Sequence, residues 1–435
     1  MIKKLILSVS AVLTVSAAAF NAAAQGNGGG RQVALTLQQA QEYALEHNRT
    51  LQNASYDVRK AEAAKWKAIA SLLPQVSAGV DYSNYFGYKM DFGAMQIAMP
   101  PYAQLGVTSA VGLNGAQIVS LQLADISKKL SDISVKQNEQ QICDQVKVLY
   151  YSALVTEESL KLLEENLKSM NKLYEISTRS VEVGVSEQTD ADQLKVQVAT
   201  MQNTISATKR SLEMVYNSLR LQLCIDPDTD IILLQDLDNL VNEETAGEIL
   251  NEPFDMERNY SWQMLKKSTD LAKKQIALTG WSNGPTLSVY HQYTTKKYFS
   301  DEMTMNMTPP NMLGVSLKVP IFGFGANAMS IKDAKLAYRK QLNTLADTEL
   351  ALNVQHRQLV YNLTSAIEKY NTQKENVAVA KRVFDNIAKK YEYGVASSMD
   401  VTNSGTNLIS AQSTYVQALL DMVNAQIQLE QLLNR

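Results

Sequence analysis

Asp190 and Asp400 each stand six residues beyond a glycine, Gly184 and Gly394, that ends a long helical run. A carboxylate in the first turn of a helix complements the positive end of the helix dipole. Carboxylates gathered from several copies around a pore mouth do something else: they favour cations and repel anions. The spacing admits both roles. Met90, Met95 and Met99 punctuate one loop, and Met303, Met305 and Met307 alternate in another. Thioethers suit Cu(I), although methionine more often fills apolar space. His47, His291 and His356 lie on different predicted elements, so no histidine metal centre is expected. The chain has no phosphate-cradling glycine loop, no zinc spacing and no nucleophile elbow. No enzyme, catalytic residue, metal or cofactor is expected. A net charge of −3 argues against nucleic acid as a partner.

The elements that would position these residues are unusually long. Ala116–Arg179 and Ala326–Lys390 carry no proline, and 64 helical residues reach about 96 Å. Ile142, Val146, Leu149, Ala153, Leu160, Leu163, Leu167, Met170 and Tyr174 recur at steps of four and three or their sum, the seam of a coiled coil. Adding 210 to each number finds a second seam that includes Leu352, Leu359, Leu363, Tyr370, Val377 and Phe384. Each run ends at a turn, Val183-Gly184-Val185 or Tyr393-Gly394-Val395, and a shorter helix returns from it.

Before each long run the period changes to two. Val76, Val80 and Tyr82 alternate with small or polar residues, and so do Leu105, Val107, Val111 and Leu113. Leu287, Val289, His291 and Tyr293 begin a third strand, and Leu313, Val315, Leu317, Val319 and Ile321 make a fourth. The matches lie outside the helices too: Pro100-Pro101 meets Pro309-Pro310, and Leu105-Gly106-Val107 meets Leu313-Gly314-Val315, at offsets of 209 and 208. The chain is therefore a tandem repeat. Residues 1–24 read as a signal peptide, 25–34 as a flexible linker, 35–225 as the first repeat, 226–255 as a connector and 256–435 as the second repeat.

Strands of about ten residues with one apolar face suit a membrane β-barrel, with tyrosines near the loop ends as an interfacial girdle. Tyr82, Tyr85, Phe86, Tyr88, Tyr290, Tyr293, Tyr298 and Phe299 are the candidates. Four strands cannot close a barrel, so several chains must contribute. Leu105, Val107, Leu113, Leu313, Val315, Val319 and Ile321 are expected to meet lipid, and Gly106, Thr108, Gly314 and Ser316 to face inward.

The order of helix, two strands, long helix and returning helix, all duplicated, resembles the TolC family of outer-membrane efflux proteins. Thr36-Leu37-Gln38-Gln39-Ala40 with Asn48, Leu72-Leu73-Pro74-Gln75, Val319-Pro320-Ile321-Phe322-Gly323 and the two Gly-Val turns carry the resemblance, which spans Leu35 to Leu433. It implies a mainly α chain with a membrane β-barrel. Three copies would form a twelve-stranded outer-membrane barrel on a hollow α-barrel through the periplasm. It further implies a periplasmic adaptor and an inner-membrane pump as partners, with the turns Val183, Gly184, Val185 and Tyr393, Gly394, Val395 touching the adaptor. Some relatives close the entrance with two aspartates three residues apart; here Asp400 and Asn403 stand in those places, with Asp190 in the other half. The competing reading is a periplasmic structural coiled coil, which leaves the four strands unexplained.

Cys143 lies 41 residues before Gly184 and Cys224 lies 40 after it. Residues equidistant from a hairpin turn stand level, so a disulfide pinning the first hairpin is expected as one of two outcomes; the other is two free thiols.

Overall fold

The computed structural model describes residues 32–91, 93, 96–235, 243–299 and 309–435. The expected signal peptide and Met95, Met303, Met305 and Met307 lie outside them. The chain divides into two compact units. One comprises residues up to Asn53, Lys136–Tyr260 and Leu350–Arg435; the other comprises Ala54–Val135 and Ser261–Glu349.

The first unit begins with β1 (Gln32–Leu35), which pairs in parallel with β6 (Asp230–Leu233). The linker expected to run to residue 34 therefore ends at Gln32, because the apolar stretch of the connector offers a strand to pair with. Thr36 and Gln39 form a capping box at the start of α1 (Leu37–His47). Helix α1 stops at Asn48, and α2 (Arg49–Ala70) follows. Asn48 is buried. Its Oδ1 accepts from the Thr50 amide (2.8 Å), and its Nδ2 donates to the Gln222 carbonyl (3.1 Å).

Two long helices, α3 (Gly115–Glu182) and α7 (Ala326–Glu392), occupy the expected runs. Their returning partners are α4 (Gln188–Leu223) and α8 (Ser398–Leu433). The residues named along the 3.5-residue seams are buried or half-buried. Ile142, Val146, Tyr150 and Ala153 pack with Leu219 and Leu223 and with Leu35, Ala40 and Ala44. Nearer the turns, Met170 and Leu173, Leu194 and Met201, Phe384, and Val401 and Leu408 form one cluster. That cluster joins both hairpins. A Cβ on Gly405 would stand 2.8 Å from the Met170 methyl, so a larger residue there would make the Met170 side chain shift. The connector also holds α5 (Glu243–Leu250), and a 3₁₀ turn (Met256–Arg258) precedes α6 (Tyr260–Ser282).

The second unit contains a four-stranded antiparallel sheet in the order β2 (Gln75–Ser83), β5 (Tyr102–Asn114), β7 (Thr286–Tyr298), β8 (Asn311–Lys318). A small hairpin, β3 (Lys89–Asp91) with β4 (Gln96–Ala98), lies between β2 and β5 in sequence. Strand β5 continues through Gly112 to Asn114, because β7 pairs with it along the full length. The fourth strand ends at Lys318, so Val319 and Ile321 lie beyond it. Lys65 with Asp125 (2.6 Å) and Lys128 with Glu62 (2.8 Å) tie α2 to the start of α3.

The sheet enters each long helix differently. In the first half Asn114 caps α3 directly, accepting from the Ala116 amide at 2.7 Å. Gly115 is covered by the Trp281 ring, which a Cβ would meet at 2.3 Å. In the second half, residues after β8 pass through Phe324 and Gly325, both with positive φ, before α7 starts. Ile321, Phe322 and Phe324 are exposed there.

Candidate entrance turns and spanning sheet

Each hairpin turn is a Schellman motif built on a left-handed glycine. Gly184 (φ +76°) and Gly394 (φ +73°) supply the conformation. The Val185 amide donates back to the Ser180 carbonyl (2.9 Å), and the Val395 amide to that of Lys390 (2.8 Å). Val183, Val185, Tyr393 and Val395 are thereby left exposed at the tips.

The two aspartates behind the turns hold different partners. Asp400 is exposed and closes a capping box with Ser397. Its carboxylate accepts from the Ser397 amide (3.0 Å) and hydroxyl (2.8 Å), and its own amide donates to the Ser397 hydroxyl (3.1 Å). These bonds hold its carboxyl below the ordinary aspartate range. Asp190 has no such box, because Glu187 at the cap position makes no side-chain capping bond. It accepts instead from the Ser398 hydroxyl across the hairpins, and Ser398 also lies 3.0 Å from the Gln193 side-chain oxygen. Ser398 is 2 % exposed. Asn403 is exposed one turn beyond Asp400. The aspartate spacing carried no sign of Ser398. Only the contrast between Glu187 and Ser397, read through the 210 offset, pointed that way.

Of the two outcomes open for Cys143 and Cys224, the structure has the free thiols. Counting around the turn sets their heights, not their directions. Cys224 is the C-cap of α4, held in the left-handed region (φ 56°) and exposed. Cys143 is half-buried beside the seam, and burial pushes its thiol up. Among the described residues no group of three or more His, Cys, Asp or Glu side chains could hold a metal ion.

In the sheet, the register puts Val76, Val80, Leu105, Val107, Leu113, Leu287, Val289, Leu313, Val315 and Leu317 on one face. Gly79, Gly106, Thr108, Ser288, Gln292, Gly314 and Ser316 share the other. Burial is inverted relative to a water-soluble sheet. In the inner strands β5 and β7, every exposed residue lies on the face that carries the apolar set, and none lies on the polar one. Val80 and Val315 are 73 % and 68 % exposed. The polar face is well fitted: the Tyr290 ring lies over Gly314, where a Cβ would meet it at 2.4 Å.

The expected tyrosine girdle is split. Tyr82, Tyr293 and the neighbouring Phe299 belong to the apolar face, with the Tyr82 and Phe299 rings 6.0 Å apart. Tyr290 and Tyr298 stand on the polar face. Alternation already separates them, since Tyr290 and Tyr298 differ in parity from Leu287, Val289 and Tyr293 in the same strand. Among the described residues no helix is long and apolar enough to cross a membrane. The sheet is a different matter, since strands cross with apolar residues outward.

A model of the family described as outer membrane efflux protein matches residues 40–223 and 256–435. The outer membrane protein TolC of Escherichia coli K12 is 21% identical over 394 residues, covering 88% of this chain and 78% of that protein. A probable efflux pump outer membrane protein, TtgC of Pseudomonas putida, is 23% identical over 402 residues, covering 90% and 81%. Among solved structures, VceC of Vibrio cholerae superposes with a TM-score of 0.76 at 14% identity, covering 91% of this chain and 95% of that one. The open-state MtrE channel of Neisseria gonorrhoeae gives 0.75 at 17%, covering 91% and 88%. The repeated helix–strand–helix plan, the outward apolar face and these likenesses agree: the chain belongs to the outer membrane efflux protein family and is an outer-membrane exit duct, not an enzyme.

Proposed function

We propose that three copies assemble into one duct, with twelve strands closing a barrel and the long hairpins forming a periplasmic tunnel. The observation that carries this is the inverted sheet. Four strands with apolar residues outward and two open edges, β2 and β8, neither close a barrel nor tolerate water. Helix α7 adds a second exposed apolar stripe, with Leu336, Leu350, Val354, Tyr361, Val379 and Val383, which a neighbouring copy would cover.

The tips of the two hairpins, Val183-Gly184-Val185 and Tyr393-Gly394-Val395, are the surface for a periplasmic adaptor that joins the duct to an inner-membrane pump. Their exposed apolar side chains on a rigid Schellman turn support that role. Asp190, Asp400 and Asn403 stand at the tunnel entrance in this reading. Six aspartates per trimer would favour cations.

Extraction from outer membranes in mild detergent, followed by electrophoresis with and without heating, tests the assembly. A trimer that dissociates only on heating is expected; a monomer at all temperatures overturns it. In planar bilayers, Asp190→Asn with Asp400→Asn should lower the cation-to-anion permeability ratio. An unchanged ratio leaves both residues as helix-end and inter-hairpin fastenings.

A further inference from the structure

At the loop end of the sheet the polar face carries a cluster that the duct reading leaves unused. Tyr102 opens β5 and Tyr298 closes β7, and the register sets them directly opposite. Their ring centroids are 5.7 Å apart, and the Tyr85 ring lies 6.3 Å from that of Tyr102. The Tyr85 and Tyr102 hydroxyls share a hydrogen bond. Lys296, two residues before Tyr298 on the same face, holds its ammonium 5.0 Å from the Tyr102 centroid. Three rings are thus fixed against one another by contact rather than left loose in a loop.

Lys296 forms no ion pair among the described residues, and Asp81, in the same row of the sheet, is separated from it by Gln104. Aromatic faces stack with flat rings, and a lysine poised beside them attracts an anion. If the apolar face meets lipid, this patch faces the lumen, and threefold assembly repeats it around the bore.

We propose that Tyr85, Tyr102, Tyr298 and Lys296 form a binding station for flat aromatic anions at the loop end of the lumen. This rests on the duct reading above. Among the described residues the cluster pairs stacking surface with a lysine that forms no ion pair, so it would slow such molecules while small ions pass.

The test uses the full-length trimer in planar bilayers, with 2-naphthalenesulfonate added from the loop side. A reversible, concentration-dependent block is expected in the wild type. Tyr102→Ala with Tyr298→Ala should weaken it roughly tenfold, and the paired change to Phe should preserve it. Lys296→Gln should weaken the block and move the permeability ratio toward cations. It alters no packed ring, so it decides the matter if the alanine variant does not assemble. A conducting wild type that the probe does not block, or a block that Lys296→Gln leaves unaltered, overturns this inference alone. A trimer that conducts nothing overturns the duct reading and this inference with it.

Discussion

Asn48 and Asn259 occupy matching places in the two halves of the chain, and both do the same thing. Asn48 donates to the carbonyl of Gln222 at the end of α4, and Asn259 donates to that of Leu432 at the end of α8 (3.2 Å). Glu187 and Ser397 also match in place, yet only Ser397 caps its helix. Consequently Asp400 is occupied within its own helix, whereas Asp190 accepts from Ser398 of the other hairpin. The halves differ again where sheet becomes helix, Asn114 with Gly115 under Trp281 against the exposed Phe322 and Phe324. Duplication preserved what each half needs to fold. It let go of positions where one half touches the other or meets its surroundings, and there equivalent residues took unequal roles.

The sheet is where the halves should behave most alike, and where a disruption costs most. Val107 and Val315 stand on the exposed apolar face in the first and second halves. Val107→Arg and Val315→Arg should each impair insertion by about 2–4 kcal/mol near the midplane. Thr108→Arg and Ser316→Arg, on the other face, should be better tolerated. Yield of heat-dissociable trimer in outer membranes reads the effect. Tolerance of arginine at one valine but not the other would break the symmetry of the sheet.

A smaller, equally matched loss is expected at the asparagines. Asn48→Ala strands the half-buried Gln222 carbonyl and Asn259→Ala the buried Leu432 carbonyl, each at a cost of about 1–3 kcal/mol. Thermal unfolding followed by circular dichroism should show two similar falls in midpoint. A clear inequality would mean that the clamp serves only one half.

These matches show what the sequence could carry. Heptad spacing located both hairpins to within a few residues, because a 3.5-residue seam leaves one mark per turn over many turns. Strand faces were legible for the same reason, with period two in place of 3.5. Single side-chain directions were not. Asn48 breaks a helix that its neighbours favour, and what compensates the break is a carbonyl 174 residues away. Cys143 and Cys224 stand level by count but form no bridge; one lies beside a seam and the other is a left-handed cap.

The helix starts should separate the halves. Ser397→Ala removes a capping box and should cost about 1 kcal/mol. Glu187→Ala removes no capping bond and should fall within about 0.5 kcal/mol of wild type. Glu187→Ser sharpens the contrast: a serine there offers Asp190 the box that Asp400 already has, in competition with Ser398. Hydrogen exchange in the first turn of α4 should slow, and exchange around Ser398 should quicken. No change at Ser398 would deny that Asp190 ties the hairpins.

Asp144 and Val354 form another unequal pair at the 210 offset. Val354 is exposed, whereas one Asp144 oxygen is buried with no hydrogen-bond partner among the described residues. Burial pushes the Asp144 carboxyl up to about 6; Lys147 opposes this and Glu430 adds to it. A 290 Å³ cavity beside it is also lined by Lys136, Glu139 and Arg435. A folded-state value above the unfolded one means the folded chain holds the proton more tightly. The contribution to stability is then fully present below the ordinary aspartate value near 3.8 and is lost as pH rises through about 6. Asp144→Asn should flatten the fall in melting temperature across that window. An identical slope in the variant would assign the pH dependence to other groups.

The smallest expected effect is at the far ends of the hairpins. Cys224 and Asn434 match at the 210 offset, and both sit at a helix C-cap with φ 56°. The backbone asks the same of each: a left-handed residue whose conformation lets the next amide turn back. The Ile225 amide reaches the Arg220 carbonyl at 2.9 Å, and the Arg435 amide reaches that of Glu430 at 3.1 Å. Asparagine tolerates the left-handed region better than most residues, and cysteine has no such advantage. Cys224 is exposed and makes no bridge, so replacing it removes no packing. Cys224→Asn should therefore stabilise the end of α4 by about 0.5 kcal/mol, and Asn434→Cys should weaken the end of α8 by a similar amount. The readout is exchange of the Ile225 and Arg435 amides, slower in the first variant and faster in the second. If both amides exchange as in the wild type, the cap residue is immaterial, and the two ends are equivalent despite their different side chains.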